Sequence, residues 1–230
     1  KWGGLPNRCE FTNDVDIKNY LHSVFDSIIL RDIVKRLNLQ DVTLFDMILQ
    51  YLIDTTGREL SAENIVKYLE SEYRKVSTET IYSYIDALCK ALIIKRVYRY
   101  DVHGRGVLKT LNKYYATDLG IAQIKNNNPN FKNYVVLENI VYNELLIRGY
   151  DVYIGKTKNG EIDFIATRFN EKIYIQVTYI LSDETVIDRE FNAYKKIEDN
   201  YPKYVLSMDK FDLSQNGIIH KNIIDWLLKR

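Results

Sequence analysis

A chain of 230 residues is long enough for one large domain or two small ones, each with its own core. A formal net charge of +1 excludes a polyanion-attracting field over the whole molecule, so any nucleic-acid surface must be a local patch. Two cysteines, Cys9 and Cys89, with neither CxxC nor metal-ligand spacing, exclude a disulfide framework and a thiolate metal site, and read as unpaired thiols of a reducing, cytoplasmic compartment.

The chain opens on KWGGLPNRCEF, a loop-like stretch with no signal-peptide core and no starting Met, expected to belong to a longer protein. No apolar run approaches the ~20 residues that cross a bilayer. The next segment carries Ile17, Leu21, Phe25, Ile28, Ile29 and Ile33 at helical spacing. A second helix is predicted from Thr43 to about Asp54, with Thr43 and Asp46 in a capping pattern. Ser61 is placed to cap a helix through Glu70, with Leu60 and Ile65 as a hydrophobic staple. Ser77 is placed to cap another through Ala91, with Val76 and Ile81 in the same relation. The period then changes to two strand-like runs around a turn at 101–106. Three helices followed by a β-hairpin is the order of a winged helix. The expected organisation is an N-terminal helical segment at 1–39, a winged helix at 40–124 and a second domain at 131–230, with the polar KNNNPN stretch at 125–130 as linker.

Beyond the linker the pattern is helix (133–148), strands (150–154, 161–167 and 172–180), helix (184–199), strand (203–207) and a last helix (221–229). This order implies an α+β fold, a mixed sheet with helices on it. Glu138 sits in the apolar stripe of Val135, Val141, Tyr142 and Leu145, where an ionised group is costly without a partner or a metal. Glu161 and Asp163 fall on one face of a strand, with Ile162 and Phe164 on the other. On the next strand Lys172, Gln176 and Thr178 share a face. If the polar faces match in a hairpin, Asp163 and Gln176 become neighbours. A carboxylate pair with water is the donor set magnesium prefers, and metal-assisted phosphodiester cleavage needs an activated water beside it. The alternative for Glu138 is a structural buried acid. For Gln176 and Thr178 it is an ordinary solvent-facing strand position, and for Glu190 and Tyr194 a plain i, i+4 helix pair.

The stretch LENIVYNELLIRGYDVYIGKTKNGEIDFIATRFNEKIYIQVTYIL resembles the core of the restriction-endonuclease-like superfamily, the PD-(D/E)XK nucleases of RecB type. The resemblance implies Glu138 as the helix glutamate, Asp163 as the metal-binding aspartate, Gln176-Val177-Thr178 in place of (D/E)-x-K, and Glu190 and Tyr194 in place of the later Q-x-x-x-Y motif. It implies Glu138 and Asp163 as ligands for Mg2+. GGLPNR, SIILRDIV, TETIYSYIDALCKALIIKRVYRYD and KYYATDLGI, with the later motifs, resemble the C-terminal half of a prokaryotic family of AAA-type ATPases. In that family a P-loop ATPase domain precedes a winged helix and a nuclease-like domain of unknown function. The chain contains no G-x-x-x-x-G-K-[ST], so ATP would bind only in a domain upstream. The departures from the nuclease pattern matter. Gln176 is neutral where an acid is expected, and Thr178 stands where lysine is. Each exchange of a charged, transition-state group typically costs ~10²–10³ in rate. Lys172, Lys195 and Lys196 are the candidates for a relocated lysine.

Lys90, Lys95, Arg96, Arg99, Arg105, Lys109 and Lys113 surround the hairpin, interleaved with Tyr98, Tyr100, Tyr114 and Tyr115, a composition suited to a DNA backbone. The recognition-helix candidate carries Glu79 and Asp86 against Lys90 alone, which argues for packing against protein. His22, His103 and His220 are scattered, without ligand or triad spacing. The expected function is that of the C-terminal region of an AAA-type ATPase, with a winged helix that binds DNA or docks and a degenerate nuclease-like domain. The upstream ATPase domain, DNA, a protein partner or a second copy are the candidate partners, and no membrane is. An active magnesium nuclease with a relocated lysine and a protein-interaction module are the rivals.

Overall fold

The computed structural model describes residues 2–35, 39, 41–104, 106–126, 133–157 and 160–229, without the side chains of 30, 32, 109 and 110. The chain forms an α+β fold that divides into two compact units, residues 1–96 with 113–131, and 97–112 with 132–230. Most of the linker expected at 125–130 lies outside the described residues.

The first unit is helical. A short 3-10 turn, Pro6–Glu10, leads to α1 (Asp14–Ile28), which continues as a π-helical segment, Ile29–Val34. Three further helices follow: α2 (Val42–Asp54), α3 (Ala62–Ser71) and α4 (Thr78–Lys90). Ser61 and Ser77 cap α3 and α4 as their side chains predict, accepting from the N–H groups of Asn64 and Thr80. The cap of α2 is Asp41, not Thr43. Its carboxylate accepts the Leu44 N–H at 2.8 Å, and a carboxylate there also suits the positive end of the helix dipole. Phe45, Ile48, Leu49, Leu52, Ile65 and Leu88 build the core. The sequence reading missed a helix, α5 (Leu119–Lys125), capped by Asp118 through the Gly120 and Ile121 N–H groups. The other Asp118 oxygen accepts the Gly4 N–H, and Gly3, at φ +74°, has no room for a Cβ against that carboxylate.

The hairpin strands β1 (Ile94–Asp101) and β2 (Gly106–Ala116) begin and end in the first unit, while Val97–Asn112 belong to the second. There β1 runs parallel to β3 (Asp151–Thr157), with Arg99 opposite Ile154 and Asp101 opposite Lys156. A wing read from periodicity alone belongs with the helices before it. Here its outer half is part of a seven-stranded sheet of order β2-β1-β3-β4-β5-β6-β7. The remaining strands are β4 (Gly160–Arg168), β5 (Glu171–Val177), β6 (Lys203–Ser207) and β7 (Ile219–Asn222). Pairs β3/β4 and β4/β5 are antiparallel, β5/β6 and β6/β7 parallel. Helix α6 (Asn133–Ile147) packs on β3, β4 and β5. Helix α7 (Glu184–Asn192) ends seven residues before the predicted 199, and α8 (Ile223–Leu228) follows the unpredicted β7 directly. Tyr174 and Ile175 are adjacent on β5 and both fully buried, so the sheet is covered on both faces at this strand.

Candidate functional site

The polar chain is built where β4 and β5 part. Their ladder runs from Arg168↔Glu171 to Phe164↔Ile175 and stops there. One step further the side chains bridge the strands instead. The Asp163 N–H donates to Gln176 Oε1 at 2.6 Å, and the Val177 N–H donates to Asp163 Oδ2 at 2.7 Å. Two backbone donors that a regular ladder would satisfy are thus met by an amide and a carboxylate. From Gln176 the chain continues to α7. Its Nε2 donates to Glu190 Oε2 at 3.1 Å, and Arg189 closes on Glu190 Oε1 with Nη2 at 2.6 Å and Nε at 3.1 Å.

Burial makes these bonds matter. Gln176 is 7% exposed, Thr178 6% and Glu190 5%, so the solvent-facing reading of Gln176 and Thr178 is overturned. The hydrogen bonds supply what water does not. The Thr178 N–H, just past the end of β5, donates to the Leu206 carbonyl on the neighbouring strand's register. Tyr194 is buried in the turn after α7, and its hydroxyl donates to the Tyr204 carbonyl. Burial, together with the negative charges of Asp163 and Glu190, pushes its phenol well above the ordinary value. The Glu190 carboxylate raises Arg189 from its ordinary value. Glu138 is buried on α6, on the helix that lies against β3, β4 and β5, one turn before Tyr142, which stacks on Phe164 at 6.0 Å.

A bulge sets the direction of these side chains. Between the pairs Tyr153↔Ile165 and Gly155↔Ile162, β3 advances two residues and β4 three. Ile162 and Ile165 therefore both join the apolar cluster with Phe191 and Tyr194, whereas Phe164 stacks on α6. Simple alternation places Ile162 and Phe164 on one face. The bulge separates them.

The basic residues are spread over different environments. Lys90 is exposed and Lys95 half-buried. Arg96 pairs with Asp86 of α4 at 2.6 Å and lies over the Tyr114 ring. Arg99 and Lys113 are buried and, as they stand, are not presented to a phosphate. Arg105 and the side chain of Lys109 lie outside the described residues. On α4 the exposed positions include Glu79, Tyr82, Asp86 and Lys90. Lys172 is engaged away from the polar chain. It is 3.3 Å from Asp199 Oδ2 and lies over the rings of Tyr174 and Tyr201. Lys195 and Lys196 are exposed after α7. Among the described residues no three His, Cys, Asp or Glu side chains gather as a metal cage, and no helix is long and apolar enough to cross a membrane.

Residues 2–130 match the model of a family described as Domain of unknown function (DUF8612). The chain belongs to that family. The DUF8612 match stops before α6, so Glu138, Asp163, Gln176 and Glu190 all lie beyond it. An uncharacterized protein of Haemophilus influenzae (strain ATCC 51907 / DSM 11121 / KW20 / Rd) is 34% identical over 232 residues, covering 100% of this chain and 56% of that protein. Uncharacterized protein MJ1544 of Methanocaldococcus jannaschii is 28% identical over 204 residues, 85% of this chain and 44% of that protein. The chain thus spans about half the length of the curated relatives it matches. No solved structure matches it.

Sequence reasoning reached Asp163, Gln176 and Glu190 but missed Arg189, whose side chain answers Glu190. It also missed Ser207, which meets His220, and Asp209, which meets Ser207. A basic residue beside a buried helix acid is the only signal that could have pointed to Arg189.

Proposed function

We propose that this chain is the C-terminal region of a cytoplasmic AAA-type ATPase, in which a winged helix docks on protein and a restriction-endonuclease-like domain has exchanged cleavage for a fixed polar lock. The observation that carries this reading is the closed run from Asp163 through Gln176 and Glu190 to Arg189. A magnesium site needs oxygens turned to an open coordination position. Here Gln176 Oε1 is taken by the Asp163 N–H, one Asp163 oxygen by the Val177 N–H, and Glu190 by Gln176 and Arg189. On this reading the bonded oxygens of Asp163, Gln176 and Glu190 are committed within the fold and do not suit magnesium. Lys172, the candidate on the same strand, is held by Asp199 and three tyrosines.

The docking role rests on α4 and the hairpin. The exposed face of α4 presents Glu79, Asp86 and Lys90, and so offers no excess of positive charge to a phosphate backbone. Arg96 is answered by Asp86 within the fold. The ATPase assignment rests on the resemblance along the whole chain, with ATP bound in the upstream domain.

The test is incubation of the chain with supercoiled plasmid in magnesium and in manganese. The expected result is no nicking above that of Asp163→Ala. Cleavage that Asp163→Ala abolishes overturns the lock and restores an active nuclease. The docking role is tested separately by titrating duplex DNA at low salt. Salt-dependent binding that Lys90→Glu and Lys95→Glu weaken favours DNA contact instead.

A further inference from the structure

Away from the polar lock, at the far side of the sheet, three side chains with the composition of a hydrolase triad meet. His220 Nε2 is 2.8 Å from Ser207 Oγ, and Ser207 Oγ is 2.7 Å from Asp209 Oδ2. The proton directions are wrong for a nucleophile. The Leu213 backbone N–H donates to His220 Nδ1 at 3.2 Å, and a backbone amide can only donate. Nδ1 is therefore the bare nitrogen and Nε2 carries the proton. Ser207 Oγ accepts from Nε2–H and from the Asp209 N–H at 3.0 Å, and its own proton goes to the Asp209 carboxylate. His220 cannot take a proton from Ser207, and Ser207 is fully buried.

The same directions tie down the connection between β6 and β7. His220 holds Leu213 through its ring, and its backbone N–H donates to Ser214 Oγ at 2.9 Å. Ser214 leads into the tight turn at Asn216-Gly217, closed by the bridge Gln215↔Ile218. Residues 215–218 form one wall of a cavity of about 560 Å³ whose other walls include Phe191, Tyr194 and Asp199.

We infer that His220 is a proton-operated latch on this connection, closed when the imidazole is neutral and released when it is charged. A proton added at Nδ1 faces the Leu213 N–H, donor against donor, although the Phe211 backbone beside the ring favours the charged form. The Leu213 bond is lost, while the backbone bond from His220 to Ser214 and the Gln215↔Ile218 bridge stay in place. The charged groups that face the ring are Asp209, beyond Ser207, and Asp212, which accepts from the Ser214 N–H and hydroxyl. β6 presents the uncharged Ser207. Burial lowers the ring below its ordinary histidine value, and the two acids and the Phe211 backbone only partly oppose that. For a base held neutral in the fold, the unfolded chain binds the proton first. The latch is thus whole above the ordinary histidine value of ~6.5 and is lost as pH falls through the lower folded value.

The test uses the 230-residue chain. Ring nitrogen shifts of His220 report the tautomer at pH 7.5, and hydrogen exchange of the Leu213 amide, corrected for its intrinsic rate, reports the latch. The expected result is Nε2–H at pH 7.5, with Leu213 protection falling by up to about tenfold per pH unit as pH drops toward the ring's own midpoint and levelling off below it. His220→Gln, which does not titrate, is expected to abolish that pH dependence. Should the variant not fold, the wild-type ring and amide signals decide alone. An Nδ1–H tautomer, or a ring that titrates while Leu213 protection stays constant, overturns the inference.

Discussion

Gln176 fills a role that neither an acid nor an apolar side chain can fill. Its carbonyl oxygen meets a backbone donor and its amide nitrogen meets a buried carboxylate. Gln176→Leu leaves the Asp163 N–H without that acceptor and removes a donor from Glu190. The expected cost is about 2–4 kcal/mol, read from urea unfolding at pH 7.5. Asp183 offers a second test at this scale. Its carboxylate caps α7 through the Val186 N–H and accepts from the Thr185 and Ser182 hydroxyls, which lower its pKa to about 2. A carboxyl depressed in the fold contributes above its unfolded value of ~3.9 and loses that contribution as pH falls through the folded one. Protection of the first-turn amides of α7 is therefore expected to persist at pH 4 and fall toward pH 2. Asp183→Asn, which still caps but does not titrate, should remove that dependence. The neighbourhood of Asp163 and Gln176 was legible from matched strand faces. Its dryness was not, because a polar residue at an alternating position reads the same whether it meets water or a buried partner.

At the scale of elements, local chemistry was most legible where one side chain does the work. Ser61 and Ser77 start their helices as expected. Short elements of only about two repeats escaped: β7 spans four residues and α5 seven. The bulge in β4 escaped too, because it is set by packing against Gly155. A Cβ there would lie 2.8 Å from Ile162 Cβ and 3.0 Å from two Ile165 carbons. Gly155→Ala is expected to destabilise the chain by about 1–3 kcal/mol and to disturb the Asp163 and Gln176 signals in NMR spectra. A wild-type-like spectrum would detach the bulge from the polar lock. The Arg96–Asp86 pair is half-open to solvent, so a double-mutant cycle is expected to give a coupling of only about 0.2–1 kcal/mol.

At the scale of the molecule, the α+β class and the order of helices, hairpin and mixed sheet followed from the change of hydrophobic period along the chain. The allocation of the hairpin did not. Periodicity shows that Ile94–Ala116 folds back on itself but not which strand its edge will meet, and Arg99 to Asp101 meet β3. The account of the second unit rests on the lock between β4, β5 and α7. The most direct measurement is paramagnetic broadening by manganese, added to the chain while the Gln176 side-chain amide is observed. The account predicts signals of unchanged width, with the Glu190 bond intact. Selective broadening of that amide, lost in Asp163→Ala, would place a metal ion in the site and contradict it.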